Sequence, residues 1–91
     1  MRKRNKLQVI NDILSAIQDR NGKIKPTHIL YKSNLSHQMM EEYLKELIHK
    51  EFIEEVDNGK NKTYSLKNKG FRYLERYKVI EEFTSSFGLE D

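Results

Sequence analysis

The chain has 91 residues, of which 36% are hydrophobic and 34% charged, and its 17 lysines and arginines exceed its 14 aspartates and glutamates by three. A chain of this size predicts one small domain with a limited core, which a second subunit often completes. The absence of cysteine excludes disulfides, a thiol nucleophile and thiolate zinc sites. No apolar run approaches a membrane span and no signal core follows the N-terminus, so we expect a cytoplasmic protein.

The charge is segregated along the chain. Residues 1–36 carry +6, residues 37–57 carry −5, residues 58–78 carry +6 and residues 79–91 carry −4. Such clustering is typical of a surface that binds a polyanion, although charge runs more often form only solvated faces. The pattern therefore needs support from other features.

The first predicted helix runs from about residue 5 to 20. Asn5 is its expected cap, with Gln8 returning the bond as in a capping box, and Asn21-Gly22 ends it with a residue that tolerates positive φ. Apolar residues at helical spacing predict its buried stripe: Leu7, Ile10, Ile13, Leu14 and Ile17.

A second, short helix is predicted from Pro26 to about Ser33. Lys25 precedes the proline and is therefore biased towards extended geometry, which makes a single β-bridge plausible over residues 22–25. Ile29 and Leu30 are expected to be buried. His28 and Lys32 are expected to face outward.

The third helix, Ser36–Lys50, follows a turn over residues 33–36 in which Leu35 is the expected hydrophobic anchor. The hydroxyl of Ser36 is placed to cap the first turn. Steps of three and four predict one apolar stripe, made of Met40, Tyr43, Leu44, Leu47 and Ile48. Two helices joined by a tight turn form the unit that lays a helix in the DNA major groove.

A β-hairpin is predicted around Asn58-Gly59. A two-residue loop pairs Ile53 with Tyr64, whereas a four-residue loop pairs Ile53 with Leu66, and both registers put these three residues on the face that covers the helices. The tip is expected to be exposed and basic, with Asn58, Lys60, Asn61 and Lys62.

The last predicted helix runs from about Asn68 to Ser86, with Gly70 permitting a close backbone approach in its first turn. Phe71 and Leu74 point one way, and an adjacent stripe comprises Tyr73, Tyr77, Ile80, Phe83 or Thr84, and Phe87. One small domain does not have the core to bury both faces, so we predict that the second stripe meets its own copy in a homodimer. The alternative is that the helix folds back on its own domain.

This order of elements is that of a winged helix. The runs KPTHILYKSNLSHQMMEEYLKELIHKEFIEE and YSLKNKGFRYLERYKVIEEF resemble the archaeal winged helix-turn-helix family that includes small chromatin-associated DNA-binding proteins. The resemblance covers about residues 7–83, and its most specific part is the turn I-L-Y-K-x-N-L-S. It implies an α+β, mostly helical fold and a homodimer joined by an antiparallel coiled coil of C-terminal helices. It also implies a recognition helix and a wing that face duplex DNA.

Four residues of the recognition helix are candidates for base contacts: Ser36, His37, Gln38 and Lys45. Six further residues are candidates for phosphate contacts: Lys23, Lys25, Thr27, Lys32, Lys60 and Lys62. The basic tail Arg2–Lys6 is expected on neighbouring phosphates. The alternatives without a DNA contact are that Ser36 only caps the helix and that the other side chains are ordinary solvent-exposed residues. Glu41, Glu42 and Glu46 would face phosphates unless they lie towards protein or pair with Lys45, although glutamate can also accept a hydrogen bond from cytosine N4.

The sequence therefore predicts a double-stranded DNA-binding homodimer, with residues 1–66 as the binding domain and residues 67–91 as the dimerisation helix. A transcription regulator at the nucleoid is the favoured role, because the net charge is small and the recognition helix acidic. The alternatives are a chromatin-architectural protein and a winged-helix module that binds protein. No catalytic residues, cofactor, small-molecule ligand or membrane partner are predicted. His28, His37 and His49 lack the spacing of a metal site.

Overall fold

The computed structural model describes residues 4–21 and 23–89 and confirms the predicted winged helix-turn-helix fold. Its elements, in chain order, are α1 (Lys6–Asp19), α2 (Pro26–Ser33), α3 (His37–His49), β1 (Ile53–Asp57), β2 (Lys62–Leu66) and α4 (Asn68–Ser86). We use "body" for the described residues up to Leu66.

α1 lies at the centre of the body, packed against α2, β2 and α4. The predicted capping box is confirmed, because Asn5 Oδ1 accepts from Gln8 N and Gln8 Oε1 accepts from Asn5 N, both at 2.9 Å. Asn21 has a left-handed φ of 52°, and Gly22 lies outside the described residues.

The prediction that Leu7 is buried is wrong, since 51% of it is exposed. Leu7 lies in the first turn of α1, where only its carbonyl is engaged, by the hydroxyl of Tyr73 at 2.7 Å. Val9 and Ala16 are buried instead. Neighbours on several sides widen the buried arc of α1 beyond the single stripe that helical spacing predicts.

The core is one cluster of buried apolar residues contributed by five elements and the segment before α2. It comprises Val9, Ile10, Ile13, Leu14, Ala16, Ile17, Ile24, Ile29, Met40, Leu44, Leu47, Ile53 and Tyr64. Removing each large aliphatic side chain from water stabilises the fold by roughly 1.5–3 kcal/mol. The predicted stripe of α3 is confirmed, with Tyr43 and Ile48 partly buried at its edges.

The hairpin has the four-residue loop of the two predicted alternatives. β1 and β2 pair antiparallel, with Ile53 opposite Leu66 and Asp57 opposite Lys62, which leaves residues 58–61 as the tip. The predicted bridge before α2 is also confirmed, because Ile24 pairs with Tyr64 on the other edge of β2. The wing is thereby attached to the segment that leads into α2.

The start of α4 presses against the residue before β1. Lys67 N donates to Phe52 O at 2.9 Å, and a Cβ placed on Gly70 would lie 2.5 Å from the same oxygen. The predicted close backbone approach at Gly70 is thus confirmed, and a side chain there would collide with Phe52 O. Although α4 has 19 residues, neither it nor another helix in the described ranges is long and apolar enough to cross a membrane.

Candidate nucleic-acid interface

The turn between α2 and α3 sets where the candidate recognition helix begins. Asn34 ends α2 in the left-handed conformation, with φ 53° and ψ 47°, and its N–H donates to Leu30 O. Ser36 then caps α3, with its Oγ accepting from Met39 N at 3.2 Å. The predicted cap is therefore confirmed, and His37 and Gln38 follow as exposed residues of the first turn.

The exposed side of α3 carries both predicted contact residues and acidic residues. Gln38 Nε2 donates a long hydrogen bond of 3.4 Å to Glu42 Oε1, one turn further on. His37 Nε2 lies 3.8 Å from Glu41 Oε1 in the same relationship. Lys45 is exposed one turn beyond Glu41 and Glu42. The outer surface of α3 is therefore acidic at its centre.

Glu46, by contrast, is paired with two lysines. Its Oε2 accepts from Lys6 Nζ and from Lys50 Nζ, each at 2.9 Å. The hydrogen bond with Glu46 raises the pKa of Lys6, and the bonds from Lys6 and Lys50 lower the pKa of Glu46. The sequence prediction missed the contact from α1, because Lys6 and Glu46 are 40 positions apart.

The wing tip is shaped by short-range side-chain hydrogen bonds. Asp57 Oδ1 accepts from Gly59 N at 2.9 Å, and Asn58 Oδ1 accepts from Lys60 N at 3.1 Å and from Asn61 N at 2.9 Å. Gly59 has a φ of 91°, a conformation that other residues rarely adopt. Lys60 and Lys62 are exposed on this ordered tip, as the sequence predicts.

A shallow cleft between α3 and the hairpin brings two predicted lysines together. Lys45 of α3 and Lys62 of β2 both line it, with Glu41 and Glu55 as the acidic lining residues. Tyr64 lies at its base and donates from its hydroxyl to Glu55 Oε2 at 3.0 Å. Burial, reinforced by this hydrogen bond, raises the pKa of Tyr64 to about 12.

The predicted phosphate contacts outside the wing are exposed. They are Lys23 and Lys25, on either side of the bridging residue Ile24, and Thr27 and Lys32 in α2. Tyr31, which was not among the predicted contact residues, is 82% exposed beside Lys32. The position of Tyr31 in the sequence pattern does not separate it from a core aromatic, but its high exposure does.

The prediction that His28 faces outward is wrong in part. The side chain is half-buried, and Nδ1 is buried with no hydrogen-bond partner among the described residues. The physical reason is the packing of the short α2 against both α1 and α3, which leaves only part of its circumference in water.

The basic N-terminal residues that the structure describes form contacts within the chain. The guanidinium of Arg4 donates to Asp12 of α1 and to Ser33 O, and it lies 3.4 Å from Asn34 O. A cation at the end of α2 also complements the helix dipole. This contact opposes the prediction of a phosphate role for Arg4. Arg2 and Lys3 lie outside the described residues.

The predicted dimerisation stripe of α4 divides into two parts. Tyr73 and Tyr77 are half-buried and stack with ring centroids 6.0 Å apart, and Tyr73 also meets Phe52 edge-on at 5.8 Å. Further along, Ile80, Phe83 and Phe87 are 53%, 58% and 66% exposed. Among the residues that the structure describes, neighbouring side chains cover only the first part of the stripe.

A metal site in the described part of the chain would require several histidine, aspartate or glutamate side chains to converge. No group of three or more histidine, aspartate or glutamate side chains is arranged to hold a metal ion in residues 4–21 and 23–89. His37 has Glu41 beside it and no third ligand in those ranges.

The sequence matches the family model described as winged helix-turn-helix over residues 3–85. A similar protein is the uncharacterized protein MJ0290 of Methanocaldococcus jannaschii, which is 33% identical over 78 residues. The match covers 86% of this chain and 34% of MJ0290, so the chain spans about a third of the length of that relative.

Two solved structures share the backbone arrangement. Sso10a-2, a DNA-binding protein from Sulfolobus solfataricus, has a TM-score of 0.74 at 20% identity, over 93% of this chain and 90% of that one. A MepR mutant from S. aureus bound to an oligodeoxyribonucleotide has a TM-score of 0.74 at 13% identity, over 87% of this chain and 60% of that one. At these identities the likeness concerns the fold alone.

Proposed function

The chain belongs to the winged helix-turn-helix family, and we propose that it binds duplex DNA as a homodimer and acts as a transcription regulator. The observation that carries this proposal is the combination of an exposed, capped α3 with an ordered, basic wing tip. In this fold α3 enters the major groove, and a wing contacts the flanking backbone or the minor groove.

The first turn of α3 is the part best suited to reach base edges. We assign base contacts to His37, Gln38 and Lys45, with Ser36 serving both as cap and as contact. Lys23, Lys25, Thr27, Lys32, Lys60 and Lys62 would hold phosphates and set the salt dependence without reading sequence. Their exposure on separate elements supports a shared role, although each alone is an ordinary solvated side chain.

The dimer proposal rests on the exposed end of α4. An apolar stripe of Ile80, Phe83 and Phe87 facing water favours a second copy as the partner. We propose that residues 67–91 are the dimerisation segment and residues 1–66 the DNA-binding segment. Tyr73 and Tyr77, already half-covered, would form the root of the interface.

The charges of α4 support an antiparallel pairing. Residues 68–78 of α4 carry Lys69, Arg72, Arg76 and Lys78 against Glu75, and residues 79–86 carry Glu81 and Glu82. Two parallel helices would place like charges side by side, whereas antiparallel helices would place the acidic end of one beside the basic start of the other.

The test is a fluorescence-anisotropy titration of random duplex DNA at two salt concentrations. Wild type should bind with an affinity that falls with salt, and a Lys60→Ala/Lys62→Ala variant should reduce the slope of log affinity against log salt by about 2. An Arg20→Ala/Lys67→Ala variant is the matched control, because it removes the same charge from positions outside both the predicted DNA contacts and α4. Light scattering checks that each variant stays dimeric.

No salt-sensitive binding to any duplex at low ionic strength, with the dimer intact, would refute DNA binding. The exposed carboxylates of Glu41 and Glu42 favour protein recognition as the second candidate function. Neutralising both should strengthen binding to random DNA under the first function and weaken a protein partner under the second.

A further inference from the structure

The three acidic residues of α3 are not equivalent in their surroundings. Glu46 is held by Lys6 and Lys50 at 2.9 Å each, so its charge is already compensated within the subunit. Glu41 lies beside His37 and lines the cleft towards the wing. Glu42 is exposed, and within residues 4–21 and 23–89 no lysine or arginine lies within 4.0 Å of its carboxylate.

A carboxylate without a cationic partner on a groove-reading helix has a specific chemical consequence. It repels phosphate oxygens, and it can only accept hydrogen bonds. In the major groove guanine presents the acceptors N7 and O6 and thymine presents the acceptor O4, so a carboxylate is disfavoured opposite both. Adenine presents the N6 amino donor beside the acceptor N7, which repels a carboxylate, whereas cytosine presents the N4 amino donor with no acceptor beside it.

Gln38 reinforces the same preference. Because the carboxylate of Glu42 can only accept, the amide of Gln38 turns its nitrogen towards it, at 3.4 Å. This contact holds the two side chains together one turn apart on the outer side of α3. This long contact is weak, so it favours one orientation of the Glu42 carboxylate without fixing it, and it lowers only part of the entropic cost of a directional contact.

We infer that Glu42 is a specificity-determining residue that selects cytosine by accepting a hydrogen bond from its N4 amino group in the major groove. This inference rests on the proposed function, and it explains why a DNA-reading helix carries a carboxylate at an uncompensated position. Glu42 weakens binding to random DNA by repulsion and recovers affinity where a cytosine meets it. Glu42 therefore favours sequence-specific binding over non-specific binding along the DNA.

The test begins with selection of the preferred duplex from a random library by the full-length wild-type chain. The selected duplex and every single-base-pair variant of it are then titrated with wild type, Glu42→Gln and Glu41→Gln. The two substitutions remove the same charge from adjacent exposed positions, so both should raise affinity for random duplex to a similar extent. Circular dichroism and light scattering confirm that fold and oligomeric state are unchanged.

Wild type should show at least one cytosine whose replacement weakens binding between about 5-fold and 150-fold. Glu42→Gln should reduce that penalty to less than about 2-fold or transfer the preference to adenine, which glutamine reads, while Glu41→Gln should retain it. If Glu42→Gln keeps the cytosine preference, or if wild type binds DNA with no cytosine preference, the inference is overturned and the proposed function stands. If wild type binds no library member, both are overturned.

Discussion

The body and the second half of α4 use apolar residues in opposite ways. In the body Ile13, Leu14 and Ile17 have no exposed surface, whereas in α4 Ile80 and Phe83 are more than half exposed. The first group is covered by a single chain. The second is equally apolar and is not covered by any of the residues 4–21 and 23–89. Burial of the body is therefore unimolecular, and burial of the α4 stripe requires a second molecule under the proposed dimer.

The boundary between the two regions lies inside one continuous helix. Leu74 and Tyr73 pack against the core cluster, Tyr77 is half-buried, and from Val79 onward the large apolar residues are exposed. No glycine, proline or cap marks this change along α4. One continuous helix can therefore begin inside a cooperatively folded region and end outside it.

The largest effect should come from a cavity in the body. Leu14→Ala removes a fully buried side chain at the centre of α1, and it should lower the free energy of unfolding by about 3 kcal/mol. Urea denaturation at several protein concentrations measures this, and the loss should be the same at each. Leu7→Ala is the matched control, because Leu7 is half-exposed on the same helix and should cost far less. Equal losses would contradict the assigned core.

Charge introduced into the exposed stripe of α4 should disrupt the proposed dimer. Ile80→Asp/Phe83→Asp should halve the mass measured by light scattering, because two carboxylates would be buried at the proposed interface. The Tm of wild type should rise with protein concentration, and that of the variant should not. Ser85→Asp/Ser86→Asp, which adds the same charge on exposed polar positions of the same helix, should remain dimeric. A variant that keeps its full mass would place the interface elsewhere.

The smallest effect is expected at Tyr73, in the part of α4 that still packs against the body. Tyr73→Phe removes the hydrogen bond to Leu7 O and should cost about 0.5–1.5 kcal/mol at neutral pH. Burial raises the pKa of Tyr73 to about 12, above the ordinary value of 10. The folded state therefore holds this proton more tightly, and wild type should lose stability as the pH rises from about 10 to 12. In Tyr73→Phe that loss should be smaller, whereas Tyr31→Phe, on a highly exposed tyrosine, should leave it unchanged.

Local features of the fold were predictable because they depend on neighbouring residues. The capping box of Asn5, the cap of Ser36 and the bounds of α4 follow from short-range hydrogen bonding and periodicity. The four-residue wing was one of two registers that the sequence left open. Its Asx bonds from Asp57 and Asn58 stabilise the longer loop.

Features that depend on distant residues were not predictable. The exposure of Leu7 and the partial burial of His28 follow from which elements pack around them. The pairing of Lys6 with Glu46 joins residues that only the folded chain brings together. For the candidate site, sequence identified the exposed residues of α3 and the wing, but it did not distinguish Glu46, which is compensated, from Glu42.

In the wing tip, the residues that determine the backbone bend differ from those that carry the positive charge. Its bend is set by Asp57, Asn58 and Gly59, while its positive charge comes from Lys60 and Lys62, whose side chains take no part in the bonds that form the bend. Related chains can therefore exchange the two lysines without refolding the loop. Such a tip can evolve its affinity for a partner gradually, while the scaffold that presents it is inherited unchanged.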